Sequence, residues 1–574
     1  MNLIKKIGIL IITILVVSTI FSVKLNAIDL TKTKGSLTII KYEKGAVGHE
    51  GENTPLNGVR FAIYKVADNA TDTTTPASTV APTAQDTTGN DGKVIFSNLN
   101  LGRYLVVETE VPENVTERIQ NFLVDIPQTT QNGTDLNYDV VVEPKNNTAY
   151  GNIVLTKEGE NGEKLKSVQF VLQKRNGTNW ADYPNATSAI LSTNTEGKIT
   201  VENLPVGDYR FVETSLGEYN TYILDNKTGY EFNVALDTTD FTTKVTPNSI
   251  TVKNDKPGIE KEIDHITRDV KDTNIVTDEK NSADIGDTIT YKTQTDIPRT
   301  IAMLTTYKIT DTMNNGLTFK QENFTVKAGD TTLTKDTDYT VTALEANHGF
   351  VLEINAAGKT KLNTEYNAGN KKMEVKYDTL LNSDADATSV GNKNTAKLTY
   401  SNTVNTNYKD ETNNPVDKTT DEVNTTIYTG GLIIEKRENT TTGTLLSGAV
   451  FKIASTKANA ENRVFIKDSN GQEITLTTGT NGTISYKGLS YGTYYLVETQ
   501  APSYQENNET KYYNLLDKPV QITVGNNTFA SNANIVINRK SSILPNTGAI
   551  GSIVVIIAGI GLIALAIIIH KKKK

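Results

Sequence analysis

The stretch NGTISYKGLSYGTYYLVET, Asn481 to Thr499, has two close counterparts in the same chain. They are DGKVIFSNLNLGRYLVVET, Asp91 to Thr109, and EGKITVENLPVGDYRFVET, Glu196 to Thr214. Each copy opens at a Gly turn, runs through a short strand and turns again at Gly. It then ends in Tyr-x-ϕ-x-Glu-Thr, where ϕ is apolar. Upstream of each lies a strand ending in lysine: SLTIIK to Lys41, NIVLTK to Lys157 and GLIIEK to Lys436. Such self-similarity marks a repeated structural unit. Short alternating segments of Thr, Val, Tyr and Ile, broken by Gly, Asn and Asp, predict an all-β fold of tandem Ig-like β-sandwich domains. Three related domains follow, at 28–148, 149–256 and 429–541. A larger unit, 257–428, lies between the second and third and lacks the Glu-Thr strand. Helical periodicity is expected only in the two terminal apolar segments. Ala67 to Asn90, rich in Thr, Ala and Pro, reads as an exposed loop.

Strand parity brings out the chemistry, because residues two apart share a face. Leu37, Ile39 and Lys41 lie together, as do Ile153, Leu155 and Lys157, and Leu432, Ile434 and Lys436. On the repeated strand the in-phase sets are Tyr104, Val106, Glu108; Tyr209, Phe211, Glu213; and Tyr494, Leu496, Glu498. Each domain therefore turns one lysine and one glutamate toward its core, where an unpaired charge costs several kcal/mol. The last strands add a third member: SITVKN puts Asn254 in phase with Ile250 and Val252, and NIVIN puts Asn538 in phase with Val536. In DVVVEPKNN, Asp139 to Asn147, Asn146 shares the face of Val140 and Val142, while Lys145 faces the other way. Asn147, next door, stays open as the alternative, since Pro144 can break the alternation.

Burial lowers a lysine pKa and raises that of a glutamate, so both can be neutral. A neutral amine is a nucleophile, and a protonated carboxyl can polarise an amide and shuttle protons. Attack on the Asn side-chain carbonyl would expel ammonia and leave a Lys–Asn isopeptide bond. The alternative is a buried, neutralised Lys–Glu pair with a hydrogen-bonded Asn; recurrence in three domains favours the bond.

The ends of the chain suggest where it works. Residues 1–27 read as a secretory signal: Lys5 and Lys6, an apolar run from Ile7 to Phe21, then Leu25-Asn26-Ala27 for cleavage. Ala549 to Ile569 is uncharged and long enough to span a bilayer as a transmembrane helix, with Lys571 to Lys574 as a basic stop. Ahead of the span stands Leu544-Pro545-Asn546-Thr547-Gly548, an extended pentapeptide held just outside a membrane. Cysteine is absent, so no disulfides reinforce the chain. A formal net charge of −8 argues against nucleic acid as a partner. Four scattered histidines (His49, His265, His348, His570) and no thiol offer neither a metal cluster nor a His-based catalytic pair. No cofactor is expected, and an ordinary enzyme is disfavoured, since self-reactive triads turn over once.

These residues carry a family resemblance. LPNTG, followed by an apolar span and basic tail in that order, resembles the LPxTG sorting signal of Gram-positive surface proteins (544–574). The three repeats resemble CnaB-type domains, and YYLVETQAPSY resembles the pilin E-box, with Ser503-Tyr504 where Gly-Tyr is usual. The larger unit resembles the CnaA-like isopeptide-forming domain of backbone pilins, which uses Lys, Asp and Asn. That resemblance assigns Lys261 in IEKEI, Asp311 in ITDTM and Asn394 in NTAKLTYSN, with Asn402, of equal parity, left open as acceptor. VVVEPK resembles the Pro-Lys pilin motif, with Glu143 in the place of its aromatic. The resemblance implies that a sortase cleaves between Thr547 and Gly548 and joins Thr547 to Lys145 of the next subunit. The implied product is the backbone of a covalent pilus, secreted and anchored to the cell wall. Implied partners are pilus-specific and housekeeping sortases, further copies of the chain and peptidoglycan, with accessory pilins and a host surface as further candidates. The competing reading is an LPxTG wall-anchored adhesin on CnaB stalks that never polymerises.

Overall fold

The computed structural model describes residues 31–541, apart from 45–53, 185–188, 237–242, 269–280, 405–416, 527–528 and 530–532. The signal segment 1–27, the pentapeptide 544–548 and the apolar run 549–569 lie outside the described residues. Among those described, no helix is long and apolar enough to cross a membrane.

The first repeat packs two small sheets. One has the strand order Asp139–Val142, Lys34–Ile40, Lys93–Asn100 and continues past Lys41 into Tyr42–Lys44 beside Lys145–Thr148. The other has the order Ala84–Thr87, Arg60–Val66, Gly102–Glu110, Phe122–Ile126. Leu37, Ile39, Phe61, Val94, Tyr104, Val106 and Val140 fill the space between them. The third repeat follows the same plan, with Gly430–Glu438 between Thr483–Leu489 and Asn534–Asn538, facing a sheet that contains Gly492–Gln500. In the second, Gly151–Glu158 lies between Lys198–Leu204 and Ser249–Lys253.

The repeated motif has a physical reason at each position. The tyrosine hydroxyl donates back four residues to a carbonyl in every copy: Tyr104 to Asn100 at 2.7 Å, Tyr209 to Pro205 and Tyr494 to Ser490 at 2.8 Å. A buried phenol needs such a partner, and this one closes the second turn. The threonine hydroxyl clamps the neighbouring strand, Thr109 on Arg60, Thr214 on Gln169 and Thr499 on Val450, at 3.2–3.3 Å. Between them the glutamate stands in register with a phenylalanine: Phe61, Phe170 or Phe451. The first Gly turn reaches furthest. Gly92, Gly197 and Gly482 have φ near +70° and accept the backbone N–H of Lys41, Lys157 and Lys436. A Cβ at Gly92 would stand 2.5 Å from the Lys41 carbonyl oxygen, so a side chain there would meet both the strained φ and the lysine backbone.

The larger unit is a thicker sandwich. One sheet runs Ile259–Thr267, Thr288–Asp296, Lys372–Leu381, Leu317–Ala328, Thr331–Thr332. The other runs Tyr339–Ala343, Gly349–Ile354, Tyr307–Met313, Asn392–Ser401, Asp417–Thr419, with Val423–Ile427 also paired to Asn392–Ser401.

By internal contacts the chain forms two compact units. The first repeat and most of the second make one; the larger unit and the third repeat make the other, together with 159–162 and 216–227 of the second repeat. The second repeat thus lends a loop to the later unit. The Leu224 amide donates to the Asn402 carbonyl at 2.8 Å, and Arg299 pairs with Asp225 at 2.8 Å.

Two expectations need correction. Ala67–Asn90 is not loop throughout: Ala84–Thr87 pairs with Arg60–Val66, and Thr88 is buried between Val59 and Leu56. Its strand is polar because it is an edge, so apolar alternation does not announce it. Helices also occur, Ala356–Asn367 and the short Lys457–Glu461. The longer is capped by Asn355, which accepts the Gly358 N–H. Only Gly358, Lys359 and Leu362 of it are buried, so it shows no apolar stripe.

Candidate functional site

In the first repeat Lys41 sits where its strand breaks, between Lys34–Ile40 and Tyr42–Lys44. The partner strand breaks opposite, at Glu143 and Pro144, and the Tyr42 amide bridges to the Pro144 carbonyl at 3.1 Å. The matched breaks keep the alternation in step, so Asn146 is 1% exposed while Lys145 is exposed. Lys41 Nζ lies 2.7 Å from Glu108 Oε1 and donates to Asn146 Oδ1 at 2.7 Å. Asn146 Nδ2 in turn donates to Glu108 Oε2 at 3.2 Å. Amine, carboxyl and amide thus form a closed triangle. Asn147 turns away to Glu117, at 2.7 Å. Burial pushes the Lys41 amine below its ordinary range, and the neighbouring Glu108 only partly opposes that.

The third repeat repeats the triangle. Lys436 Nζ lies 3.2 Å from Glu498 Oε1 and donates to Asn538 Oδ1, while Asn538 Nδ2 donates to both Glu498 oxygens at 3.0 and 3.1 Å. The Phe451 ring lies beneath the amine, 5.4 Å away. Burial lowers the Lys436 pKa to about 8, against the pull of Glu498.

In the second repeat Lys157 and Glu213 are both fully buried, but their nearest charged atoms are 3.8 Å apart. The Lys157 amine donates instead to the Glu158 and Val252 carbonyls, at 2.9 and 3.4 Å. Asn254 follows directly on Ser249–Lys253, is buried, and donates to the Ile223 carbonyl at 2.8 Å. The sequence pattern is that of its siblings; the side-chain arrangement differs.

In the larger unit Lys261 and Asp311 come from facing sheets, with Nζ and Oδ2 2.6 Å apart and both side chains fully buried. Burial lowers the lysine and raises the aspartate, each only partly opposed by the other. Asn394 is buried beside them, whereas Asn402 donates elsewhere, to the Asn220 carbonyl at 3.1 Å. Sequence reasoning missed Tyr377. Its hydroxyl donates to Asp311 Oδ2 at 2.6 Å, accepts from Asn394 Nδ2 at 3.1 Å and contacts Lys261 Nζ. The available signal was Tyr377 in phase with Met373 and Val375, a phenol on a core face and so in need of a partner.

Each triangle sets a carboxyl against both a depressed-pKa amine and a primary amide, the arrangement that amide exchange requires. The depressed lysine also has a measurable consequence. Asn538→Ala leaves Lys436 beside Glu498 without its amide. Unfolded, the lysine holds its proton up to about 10.5; folded, it releases it near 8. Between those values the unfolded chain binds more protons, so stability should rise with pH, by about 3 kcal/mol across the window. Below pH 8 the cost of the buried charge is fully present. Calorimetry of Asn538→Ala against Lys436→Met/Asn538→Ala should show the difference only in the former, and equal curves would refute it.

Comparison with known proteins follows the repeats. Residues 35–139, 151–256 and 430–536 each match the SpaA family, described as a prealbumin-like fold domain. Residues 285–404 match Gram-positive pilin backbone subunit 2, described as a Cna-B-like domain, where the resemblance read from IEKEI and ITDTM is to the CnaA-like type. A fimbrial subunit type 2 of Actinomyces naeslundii is 29% identical over 161 residues, 20% of this chain and 30% of that protein. The chain therefore spans under a third of that relative's length. Among solved structures, the major pilin subunit BcpA of Bacillus cereus is 23% identical, covering 68% of this chain and 99% of that one, with a TM-score of 0.42. The full-length major pilin SpaD of Corynebacterium diphtheriae is 20% identical and covers 90% of this chain and all of that one, with a TM-score of 0.33.

Proposed function

Because the chain belongs to the Gram-positive backbone pilins with SpaA-type prealbumin-like domains, we propose that it is the structural shaft subunit of a covalently polymerised surface pilus. In this reading a pilus-specific sortase cuts between Thr547 and Gly548. The Lys145 amine of another copy then takes the Thr547 acyl group. A head-to-tail linkage of this kind does not close on itself and gives an open fibre. Wall anchoring by a housekeeping sortase ends growth and leaves the fibre on peptidoglycan at the cell surface.

Within each subunit, Lys–Asn bonds at 41/146, 157/254, 261/394 and 436/538 are the second covalent layer. Glu108, Glu213, Asp311 and Glu498 serve as the respective proton shuttles. The observation that carries the polymer reading is the adjacency at 145/146: an exposed lysine next to an asparagine buried on a lysine–glutamate pair. One residue is exposed to solvent while its neighbour is turned inward. Mass mapping of peptides from native fibres tests both layers, since it should recover Thr547 joined to Lys145 and each internal pair short of one ammonia. Fibres without the first peptide would sink the linkage. A wild-type host showing no high-molecular-mass species would favour the non-polymerising adhesin.

A further inference from the structure

We propose that Tyr377 is a catalytic residue of bond formation in the larger unit, its phenol relaying a proton from Asp311 to the leaving nitrogen of Asn394. The inference rests on the isopeptide reading above and assigns a group that the Lys–acid–Asn pattern does not contain.

The geometry starts from side-chain length. In the first and third repeats the acid is a glutamate, and its carboxylate oxygens reach the asparagine nitrogen directly, at 3.0–3.2 Å. In the larger unit the acid is an aspartate, one methylene shorter. There the hydrogen bond from Asn394 Nδ2 goes to the Tyr377 oxygen at 3.1 Å, and the Tyr377 hydroxyl spans the remaining 2.6 Å to Asp311 Oδ2. Lys261 Nζ touches the same two atoms, Asp311 Oδ2 and the phenol oxygen. One phenol oxygen therefore meets nucleophile, acid and leaving group. The ring is held in place by stacking on Tyr291, with centroids 5.8 Å apart, and by the edge contact with Phe350 at 4.8 Å. Burial keeps the phenol protonated far above its ordinary range, so it passes a proton on rather than storing a charge.

The step balances without a co-reactant. The neutral Lys261 amine attacks Asn394 Cγ and forms the new C–N bond. As the Cγ–Nδ2 bond breaks, the Tyr377 hydroxyl turns from Asp311 Oδ2 to Nδ2, reversing both hydrogen bonds, gives its proton to Nδ2 and takes one from the protonated Asp311 carboxyl. Ammonia leaves, and the nitrogen of Lys261 returns its extra proton to Asp311. Acid and phenol end as they began; the net change is one hydrogen moved from the lysine nitrogen to ammonia.

The test follows the Lys261–Asn394 cross-linked peptide over time after cell-free synthesis of the full mature chain. Tyr377→Phe should slow its appearance at least ~100-fold, the range of a lost general acid–base step, while the Lys41–Asn146 and Lys436–Asn538 peptides appear at the wild-type rate. Tyr307→Phe removes another fully buried phenol from the same core, away from the reacting atoms, and should form the bond normally. Adding Asp311→Glu to Tyr377→Phe restores the missing methylene and should recover much of the rate, which no loss of folding would do. A wild-type rate in Tyr377→Phe, or equal slowing in Tyr307→Phe, overturns the relay. Absence of the peptide from the wild type overturns the isopeptide reading beneath it.

Discussion

Lys145→Ala is expected to abolish the covalent ladder on denaturing gels of the native host's wall fraction, leaving monomer alone. The effect is all-or-none because the substitution removes the only nucleophile that the proposal assigns to the Thr547 acyl group. Lys145→Arg should fail equally. A guanidinium keeps the charge and the exposure, yet it stays protonated and cannot attack an acyl carbonyl. The two variants together separate nucleophilicity from electrostatic attraction of the sortase. Neither should touch the inward triangle, because Asn146 meets Lys41 on the opposite side of the strand. The monomer from each variant should therefore still lack the ammonia of the first repeat. A ladder persisting in Lys145→Ala would mean that another lysine is the linkage site.

Parity explains why so much of this arrangement was legible. A lysine, a glutamate and an asparagine in phase with apolar residues are expected on the core face, and Lys41, Glu108 and Asn146 meet there because their strands alternate in step across matched breaks. Parity cannot report rotamers. Lys157 obeys the same pattern as Lys41, yet its amine turns to the Glu158 and Val252 carbonyls. Nor can it pick out a group that no repeat duplicates. Tyr377 lies 66 residues from Asp311 and occurs only in the unrepeated unit, so nothing in the local pattern separated it from an ordinary core tyrosine. The helix Ala356–Asn367 escaped for a related reason: its buried positions are a glycine, a lysine and a leucine.

Glu498→Ala should carry the largest stability loss of any single change in the third repeat, and its size follows from two separable parts. The first is the cross-link. Lys436 and Asn538 stand 102 residues apart, and by analogy with a disulfide closing a loop of that length the bond contributes about 4–5 kcal/mol. Asn538→Ala loses this part and, below pH 8, also carries the cost of the lysine charge held beside Glu498. The second is the lysine left buried without its carboxylate, about 3–5 kcal/mol for a broken buried pair. Together they approach the whole stability of a typical domain. Intact mass should show either variant retaining one ammonia that the wild type has lost. The mechanical consequence is sharper still. The first and last strands of this repeat, Gly430–Glu438 and Asn534–Asn538, are parallel neighbours, so tension on the two chain ends shears one past the other. A bond from Lys436 to Asn538 takes that load and leaves the residues between them slack. Pulled between Lys145 and the C-terminal end, the wild-type chain should show no extension from this repeat. Glu498→Ala should release the 102-residue segment, about 340–370 Å of chain when fully extended. An equal extension in the wild type would show that the strands are held by hydrogen bonds alone.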